Sequence, residues 1–371
     1  MTSTRAVRAL VTGVGGGGQG EQVLKALRLA ETPYLIVGTD ITPYSSGLTE
    51  VDHPLIVPPA TAPEYIDVLL GVADAYDVEV VFHGSEPELR QMSAHRSRFL
   101  DAGLFLPINP AEVIDVCMDK LRTMRALQEA GFLVPPYRAV RSLADLEGFD
   151  ELPVVLKPSV GGGGSAHLYL AQDRHELIAC AEQILSVHEE FIAQAYVGRP
   201  EEEYTVGVLL DMDGELLNSI AVRREIMSAL SNRIKVVNRT GRDSLGPMLA
   251  ISSGISQGRV GHFEEVCRQC EEIALAIGAR GPLNIQCRLV EGRVVVFEIN
   301  PRFSGTTSLR AMAGYNEPDI LVRRHVLGEV IAPRFPYRDC TIVRGLAETL
   351  IEDVDIPRAE TRPSIDAPRD G

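Results

Sequence analysis

Three polar residues occupy every second position at the end of an apolar run. The segment VVVFEINPRFSG, residues 294–305, carries Glu298, Asn300 and Arg302 in this spacing. Residues two apart on a β-strand project from the same face, so Glu298 and Asn300 direct two oxygen ligands toward one place. Because magnesium prefers such ligands, the spacing predicts a metal site. Arg302 beside it can hold a carboxylate or a transferring phosphoryl group.

The preceding strand adds Gln286 to this set only in one register. A hairpin with a two-residue turn at 291–292 places Gln286 opposite Phe297, facing away from Glu298. A loop one residue longer places Gln286 opposite Glu298. We therefore predict the longer loop, or a glycine bulge at the turn, so that Gln286, Glu298 and Asn300 converge. A solvated hairpin edge would instead leave these side chains without a common ligand.

A lysine followed by glycines predicts a phosphate site. In VVLKPSVGGGGS, Lys157 ends an apolar strand, and the run 161–164 with Ser165 offers main-chain amides that can fold over a polyphosphate. This is not a Walker loop, because no Gly-Lys-Ser/Thr follows the glycines. A flexible turn would account for the glycines but not for a lysine on an apolar strand.

An earlier glycine loop lies between the first strand and the first helix. It contains Gly13-x-Gly15-x-x-Gly18, and Asp40 ends the next strand. Taken alone, this pattern is typical of a dinucleotide-binding fold. We favour a structural turn or a substrate-facing loop, because any strand that packs closely on the following helix needs such a turn.

Composition narrows the class of protein. The chain has 371 residues, of which 45% are hydrophobic and 23% charged, and a net charge of −15. This charge argues against nucleic acid or an anionic membrane as the partner. No apolar run reaches the roughly 18 residues of a membrane span, so we expect a cytoplasmic protein. The six cysteines are expected to be plain thiols.

The order of elements positions these motifs. A doubly wound α/β region opens the chain, and its strand VEVVF delivers Ser85 and Glu86 at the ligand-binding end. One amphipathic helix is expected from a cap near Asn109 to Gly131. Hairpins are predicted around Asp213-Gly214 and within 284–300, with helices over 258–278 and 306–330.

Taken together, the motifs resemble those of the ATP-grasp carboxylate ligases, in the branch like the carbamoyl phosphate synthetase large subunit. The matching segments, in family order, are MDK (118–120), VVLKPSVGGGGS (154–165), IAQAYVG (192–198), EEYTVGV (202–208), GPLNIQC (281–287) and FEINPRFSG (297–305).

The resemblance implies an α/β ATP-grasp fold. Its parts would be a Rossmann-like pre-ATP-grasp domain (1–110), a linking helix (111–133), a small mobile lid (134–196), a C-terminal antiparallel α+β subdomain with the metal site (197–351) and a polar tail (352–371).

The resemblance also implies roles for individual residues. Lys120 and Lys157 would contact phosphates, with Gly162, Gly163, Gly164 and Ser165 closing over them. The backbone around Gln194, Ala195 and Val197 would meet adenine, and Glu203 the ribose. Gln286, Glu298 and Asn300 would hold one or two Mg²⁺ ions, or Mn²⁺, and Arg302 and Lys157 would be catalytic.

The implied reaction is activation of a carboxylate as an acyl phosphate and its coupling to an amine or similar nucleophile, in amino-acid or natural-product metabolism. Carbamoyl phosphate synthetases carry a second arginine where this chain has Gly305, which weakens carboxyphosphate chemistry and leaves room for a larger acid. Two different functions would use only part of these motifs. One is a non-catalytic nucleotide-binding regulator, and the second is an oxidoreductase that binds a nucleotide cofactor at the first glycine loop.

Substrate contacts are less well defined by the sequence. Ser85 and Glu86 are candidates for binding an amine, and Arg223, Arg224 and Arg310 for binding a carboxylate. Each can equally be a solvated or structural residue. The expected partners are small-molecule substrates, with no nucleic acid or membrane, in a possible homodimer.

Overall fold

The computed structural model describes residues 5–161, 167–350 and 356–360. They form two compact units. The first draws on the chain up to Pro107 with two later segments, and the second on Ile108–Leu321 with Val330–Ala347. No helix among these residues is long and apolar enough to cross a membrane.

The first unit is built on a parallel four-stranded sheet in the order β3-β2-β1-β4, as the doubly wound prediction requires. Its strands are β1 (Val7–Thr12), β2 (Tyr34–Asp40), β3 (His53–Ile56) and β4 (Val80–Phe82). Its helices include α1 (Gln19–Arg28), α2 (Tyr65–Ala75), α3 (Glu86–Ala94) and α4 (Arg96–Asp101). The central strand β1 is buried along nearly its whole length, as expected for a sheet covered on both faces.

A short C-terminal segment extends this sheet beyond β3. The N–H of Ile56 donates to the carbonyl of Pro357 (2.8 Å), and the N–H of Ala359 donates to the carbonyl of Ile56 (2.9 Å). Of the tail predicted from residue 352, only residues 356–360 are described, and they form a parallel bridge with β3.

The second unit begins with two helices where one was predicted. They are α5 (Ala111–Cys117) and α6 (Lys120–Glu129). The predicted cap near Asn109 is wrong, because the side chain of Asn109 donates to the carbonyl of Pro282 (2.7 Å). Asp119 breaks the helix and caps α6 by accepting from the N–H groups of Leu121 and Arg122.

A small antiparallel sheet follows, in the order β5-β8-β6-β7. Its elements are β5 (Tyr137–Val140), β6 (Val154–Pro158), β7 (Tyr169–Ala171), α7 (Arg174–Leu185) and β8 (Phe191–Ala195). Leu177, Ala181 and Ile184 of α7 pack on Leu156 and Ala193 of the sheet, which gives this region its own core.

A larger antiparallel sheet runs in the order β15-β14-β9-β10-β13-β16. Its strands are β9 (Glu203–Leu210), β10 (Leu216–Arg224), β13 (Gly258–Gly261), β14 (Pro282–Val290), β15 (Arg293–Asn300) and β16 (Cys340–Ile342), and β11 (Asn232–Val237) pairs with β12 (Met248–Ser252). The helices are α8 (Glu264–Ala276), α9 (Thr307–Met312) and α10 (Glu317–His325). The helix predicted from residue 258 begins later, because 258–261 pairs as a strand with β10.

The two faces of the large sheet differ in chemistry. On one face, Val206, Val208 and Ile285 pack with Cys270 and Ile273 of α8 in an apolar core. Strand residues alternate between faces, so the opposite face carries the polar positions of β9, β14 and β15. This opposite face is called the polar face below.

Candidate active site

A one-residue bulge at Phe297 places Gln286 directly opposite Glu298. Pairing is regular from the turn up to the residue before Phe297, and then shifts by one. The turn itself keeps two residues, Glu291 and Gly292, both with positive φ angles (51° and 75°). The predicted register is therefore confirmed, but the extra residue lies at Phe297 and not at the turn. A bulge achieves the same realignment inside the ladder.

The predicted metal ligands share the polar face. Glu298 faces Gln286 across the pair, and Asn300 follows two residues later on the same face. The Oδ1 atom of Asn300 accepts from Nη2 of Arg302 (2.9 Å), while its buried Nδ2 atom has no hydrogen-bond partner among the described residues. One carboxylate and two amide oxygens fit a hard divalent cation whose remaining ligands are phosphate oxygens and water.

Lys157 connects the small sheet to this bulge. Its Nζ atom donates to the main-chain carbonyl of Phe297 (3.1 Å) and lies 5.8 Å from the centre of that ring. The bulged residue does not pair with β14, so its carbonyl is available to the lysine. Burial, with a smaller contribution from nearby Lys120, lowers the pKa of Lys157 to about 8, while Glu298 and Glu203 oppose the shift.

The break between α5 and α6 positions Lys120. The main-chain N–H of Lys120 donates to the carbonyl of Ser159 (3.0 Å), and Oγ of Ser159 donates to Asp119 (2.6 Å). The Nζ atom of Lys120 lies 3.5 Å from the carbonyl of Gly161, at the start of the glycine run. Gly162, Gly163, Gly164 and Ser165 lie outside the described residues.

The predicted adenine segment is the end of β8 and the residues after it. The side chain of Gln194 is buried and contacts the sulfur of Met124 (3.1 Å), and its backbone lies in β8 between β5 and β6. Ala195 donates its N–H to Pro136 (2.8 Å), and the carbonyl of Val197 accepts from Arg288 Nη1 (2.9 Å).

Glu203 lies in a buried cluster with two arginines. Its Oε2 atom accepts from Nη2 of Arg288 (3.0 Å), and its Oε1 atom lies 3.4 Å from Nη1 of Arg224. Within the described part of the chain, this Oε1 atom accepts no hydrogen bond. Arg288 also stacks on the ring of Tyr196 (4.3 Å). The Oε1 atom fits the ribose role, since a hydroxyl donor would complete its hydrogen bonding.

Sequence reasoning missed Arg288 and Tyr196. Arg288 is two residues from Gln286 and shares its face, so the alternation that identified Gln286 also pointed to Arg288. Tyr196 sits inside the predicted adenine segment, and its hydroxyl donates to the carbonyl of Ala250 (3.0 Å).

The arginines proposed for substrate binding differ in environment. Arg223 is exposed on β10. Arg224 is buried and donates to Ser253 (2.7 Å), and it lies 3.5 Å from Oε1 of Gln286. Arg310 is buried and forms an ion pair with Glu317 (3.1 Å). Of the three, only Arg223 presents an exposed side chain.

Ser85 and Glu86 lie at the start of α3 in the first unit. Ser85 is the N-cap, and its Oγ atom donates to Glu88 (2.9 Å). Glu88, which sequence reasoning missed, also accepts from the Tyr65 hydroxyl (2.9 Å) and the Gly84 N–H (3.0 Å). Burial raises the pKa of Glu88 despite these hydrogen bonds.

The first glycine loop has the geometry of a structural turn. Asp40 accepts from the N–H groups of Gly15 (3.1 Å) and Ile41 (2.8 Å). A Cβ atom at Gly20 would lie 2.1 Å from the carbonyl of Thr12, so the close approach of strand and helix requires glycine there. Because Asp40 already accepts from the loop, this geometry favours the turn over a dinucleotide site.

Gly305 lies where another main-chain segment approaches closely. A Cβ atom at this position would lie 3.0 Å from the carbonyl of Gly254. The carbonyl of Gly305 accepts from Nη2 of Arg344 (2.6 Å). A side chain at 305 would therefore require Gly254 to move.

Two family models match separate parts of the chain. Residues 10–106 match "PylC-like, N-terminal domain", and residues 251–344 match "ATP-grasp in the biosynthetic pathway with Ter operon". The first match covers the parallel sheet, and the second covers the β14–β15 hairpin with the predicted metal ligands.

Known proteins resemble the chain in sequence or share its fold. The carbamoyl phosphate synthase large chain of Thermomicrobium roseum is 32% identical over 200 residues, which are 53% of this chain and 17% of that protein. An L-amino acid ligase from Bacillus licheniformis superposes with a TM-score of 0.61 at 17% identity, over 90% of this chain and 78% of that one. The biotin carboxylase domain of Hydrogenobacter thermophilus 2-oxoglutarate carboxylase, solved with MgADP, ADP and bicarbonate, gives 0.60 at 14% identity, over 89% and 71%.

The chain has the ATP-grasp fold, and residues 251–344 match an ATP-grasp family model. In sequence it resembles the carbamoyl phosphate synthase large chains, and it spans 17% of the length of the Thermomicrobium roseum protein. The predicted fold class is confirmed, with a parallel sheet in the first unit and antiparallel sheets in the second.

Proposed function

We propose that this protein is an ADP-forming ligase that activates a carboxylate with ATP and couples it to an amine or similar nucleophile. The observation that carries the proposal is the meeting of Lys157 with the Phe297 bulge, which also places Gln286 opposite Glu298. A phosphate-binding cation and a divalent-metal face are thereby joined on adjacent sheets of one unit. Phosphoryl transfer needs this kind of positioning and charge neutralisation more than a protein nucleophile.

The reaction has two steps. A carboxylate oxygen of the acid attacks the γ-phosphorus of ATP, the bond from that phosphorus to the β,γ-bridging oxygen breaks, and ADP leaves. The amine nitrogen then attacks the carbonyl carbon of the acyl phosphate, inorganic phosphate leaves, and the nitrogen gives up a proton. Arg302 lies beside Asn300, where it would hold the carboxylate and the transferring group.

The cofactors are ATP and Mg²⁺. Gln286, Glu298 and Asn300 would hold one or two Mg²⁺ ions, which would neutralise phosphate charge. Lys157 and Lys120 would contact phosphate oxygens, with Gly162–Ser165 closing over them. Backbone groups at Gln194–Val197 would meet adenine, and Glu203 would accept from the ribose hydroxyls.

An amino acid is the acid that we favour. An L-amino acid ligase shares the fold. The close approach of Gly254 to Gly305 disfavours a second arginine there, and with it carboxyphosphate chemistry. Ser85 and Glu86 remain the candidates for contact with an amine. Arg223 pairs with Tyr204 on the opposite face of the sheet from Gln286 and Glu298, which disfavours it as the carboxylate ligand of this site.

Each part of the chain has a proposed role in this reaction. Residues 1–110 would form the pre-ATP-grasp domain, 134–196 the mobile lid and 197–351 the metal-bearing subdomain. We infer a cytoplasmic enzyme that forms a homodimer. We also infer that it binds neither nucleic acid nor membrane, in keeping with the net charge of −15.

The test is ADP and phosphate release from MgATP across pooled amino acids, other small carboxylic acids and amines. We expect release that requires one acid and one amine and disappears in Arg302→Ala. Binding of MgATP without release in any pool would favour a nucleotide-binding regulator instead.

A further inference from the structure

Arg310 is a fully buried cation on the polar face of the large sheet. Its side chain is 1% exposed, as is that of its partner Glu317, with 3.1 Å between Nη1 and Oε1. Taking two charges out of water costs about as much as their attraction returns, so stability alone does not account for such a pair. Its contacts point to a different role.

The chain makes room for this guanidinium at Gly207. A Cβ atom on Gly207 would lie 2.3 Å from Nη1 of Arg310 and 2.6 Å from Oε1 of Glu317. Glycine inside a strand weakens the strand and often marks a close approach by another group. The absence of a side chain at 207 lets the arginine lie directly against β9.

The other end of the guanidinium fixes Asn284. Nη2 of Arg310 donates to Oδ1 of Asn284 (2.6 Å), and the Thr205 hydroxyl donates to the same oxygen (2.8 Å). Two donors on one amide oxygen determine which way the amide faces. Asn284 lies directly opposite Asn300 across β14 and β15, so their side chains are neighbours on one face.

Asn300 is bonded to the predicted catalytic arginine, because its Oδ1 atom accepts from Arg302. Hydrogen bonds therefore join Glu317, Arg310 and Asn284, and Asn284 is the cross-strand neighbour of Asn300.

We propose that Arg310 is a positioning residue: held by Glu317, it orients Asn284 and so sets the metal-facing side chains of the β14–β15 hairpin. The inference rests on the proposed function, and it replaces the role in substrate binding predicted for Arg310. The buried pair acts on metal affinity through its neighbours and does not touch the acid.

The test measures Mn²⁺ affinity in the presence of ADP, from the paramagnetic resonance signal of free Mn²⁺. In the double variant Arg310→Met with Glu317→Gln, neither member of the pair is left as a lone charge, and the amide can still accept from the Thr307 hydroxyl, as Glu317 does now. We expect Mn²⁺ affinity to fall about tenfold or more, in the range found when second-layer partners of metal ligands are removed. ADP affinity without metal should not change.

A matched control comes from another ion pair in the same unit. Glu271 on α8 pairs with Arg334 and also accepts from Ser219. The variant Arg334→Met with Glu271→Gln removes one pair in the same manner and should leave Mn²⁺ affinity unchanged.

Gly207→Ala tests the same connection while keeping both charges. Its methyl group displaces the guanidinium, so Mn²⁺ affinity should again fall, and this variant decides the matter if the double variant does not fold. Wild-type Mn²⁺ affinity in either folded variant would overturn the positioning role and leave the proposed function standing. Failure of the wild-type protein to bind Mn²⁺ with ADP would overturn both.

Discussion

Glu203 and Arg288 form a buried ion pair, with 3.0 Å between Oε2 and Nη2. The same arginine donates to the carbonyls of Val197 (2.9 Å) and Gly198 (3.2 Å). One side chain thus joins the predicted ribose ligand to the predicted adenine segment, from a strand that also carries Gln286.

Removing one member of this ion pair should lower the stability of the folded protein. Arg288→Met leaves the Glu203 carboxylate buried beside the more distant Arg224. We expect the free energy of unfolding in urea to fall by about 3 kcal/mol or more. Adding Glu203→Leu to Arg288→Met should restore much of that stability. The double variant should still bind ADP more weakly than wild type, because it lacks the predicted ribose ligand. An unfolding midpoint unchanged in Arg288→Met would contradict the role given to the pair.

ADP affinity should depend on pH through Lys157. Because burial lowers its pKa to about 8, the free protein loses the ammonium charge as pH rises through that value. Bound phosphate favours the charged form, so affinity should fall by up to about tenfold per pH unit above pH 8. Calorimetric titration of ADP checks this, with Lys157→Met as a weak-binding control that lacks the pH dependence. A flat wild-type profile from about pH 7 to pH 9 is incompatible with this assignment.

Glu298 and Arg302 should matter for turnover and little for folding. Glu298→Ala and Arg302→Ala should each lower kcat by about a hundredfold or more, since under the proposed function each removes a group that stabilises the transferring phosphate. Both side chains are only half-buried, so the midpoint of thermal unfolding should change little. Arg293→Ala, at the exposed start of β15, is the control. Wild-type turnover in either site variant would refute the site.

Glu88 should give stability a distinct pH dependence. Burial raises its pKa above the ordinary value of 4.5, so the folded state keeps a proton that the unfolded state releases. Its contribution to stability is therefore complete below pH 4.5 and is lost as pH rises through the folded-state pKa. Urea unfolding of wild-type protein and Glu88→Gln across this range should diverge. Parallel profiles for wild type and Glu88→Gln would exclude this role.

The local pattern of the sequence was enough to predict the doubly wound opening and the pairing of Gln286 with Glu298, while the fold class came from the resemblance to the ATP-grasp ligases. Alternation in 294–300 identified Glu298 and Asn300, and the need to bring Gln286 opposite Glu298 required one extra residue in the hairpin. The position of that residue depended on a tertiary contact, because Lys157 of another sheet takes up the carbonyl of Phe297. A hairpin considered alone offers no reason to place it there.

Long-range polar contacts account for two other differences between the predictions and the structure. Asn109 resembles a helix cap in sequence, but its side chain bonds to Pro282, 173 residues away. The sequence suggests Arg310 as a carboxylate ligand for the substrate, but its side chain lies against Gly207 and pairs with Glu317. In each case the sequence indicated a side chain that makes specific hydrogen bonds, but its partner belongs to a distant strand or helix.

Trapping of the activated acid tests the central claim most directly. The protein is incubated with MgATP, pooled carboxylic acids and hydroxylamine in place of the amine, and hydroxamates are measured with ADP. An acyl phosphate intermediate predicts a hydroxamate of one acid, formed in equal amount to ADP and absent in Arg302→Ala. Binding of MgATP with neither hydroxamate nor ADP from any acid would contradict the assignment of this protein as a carboxylate-activating ligase.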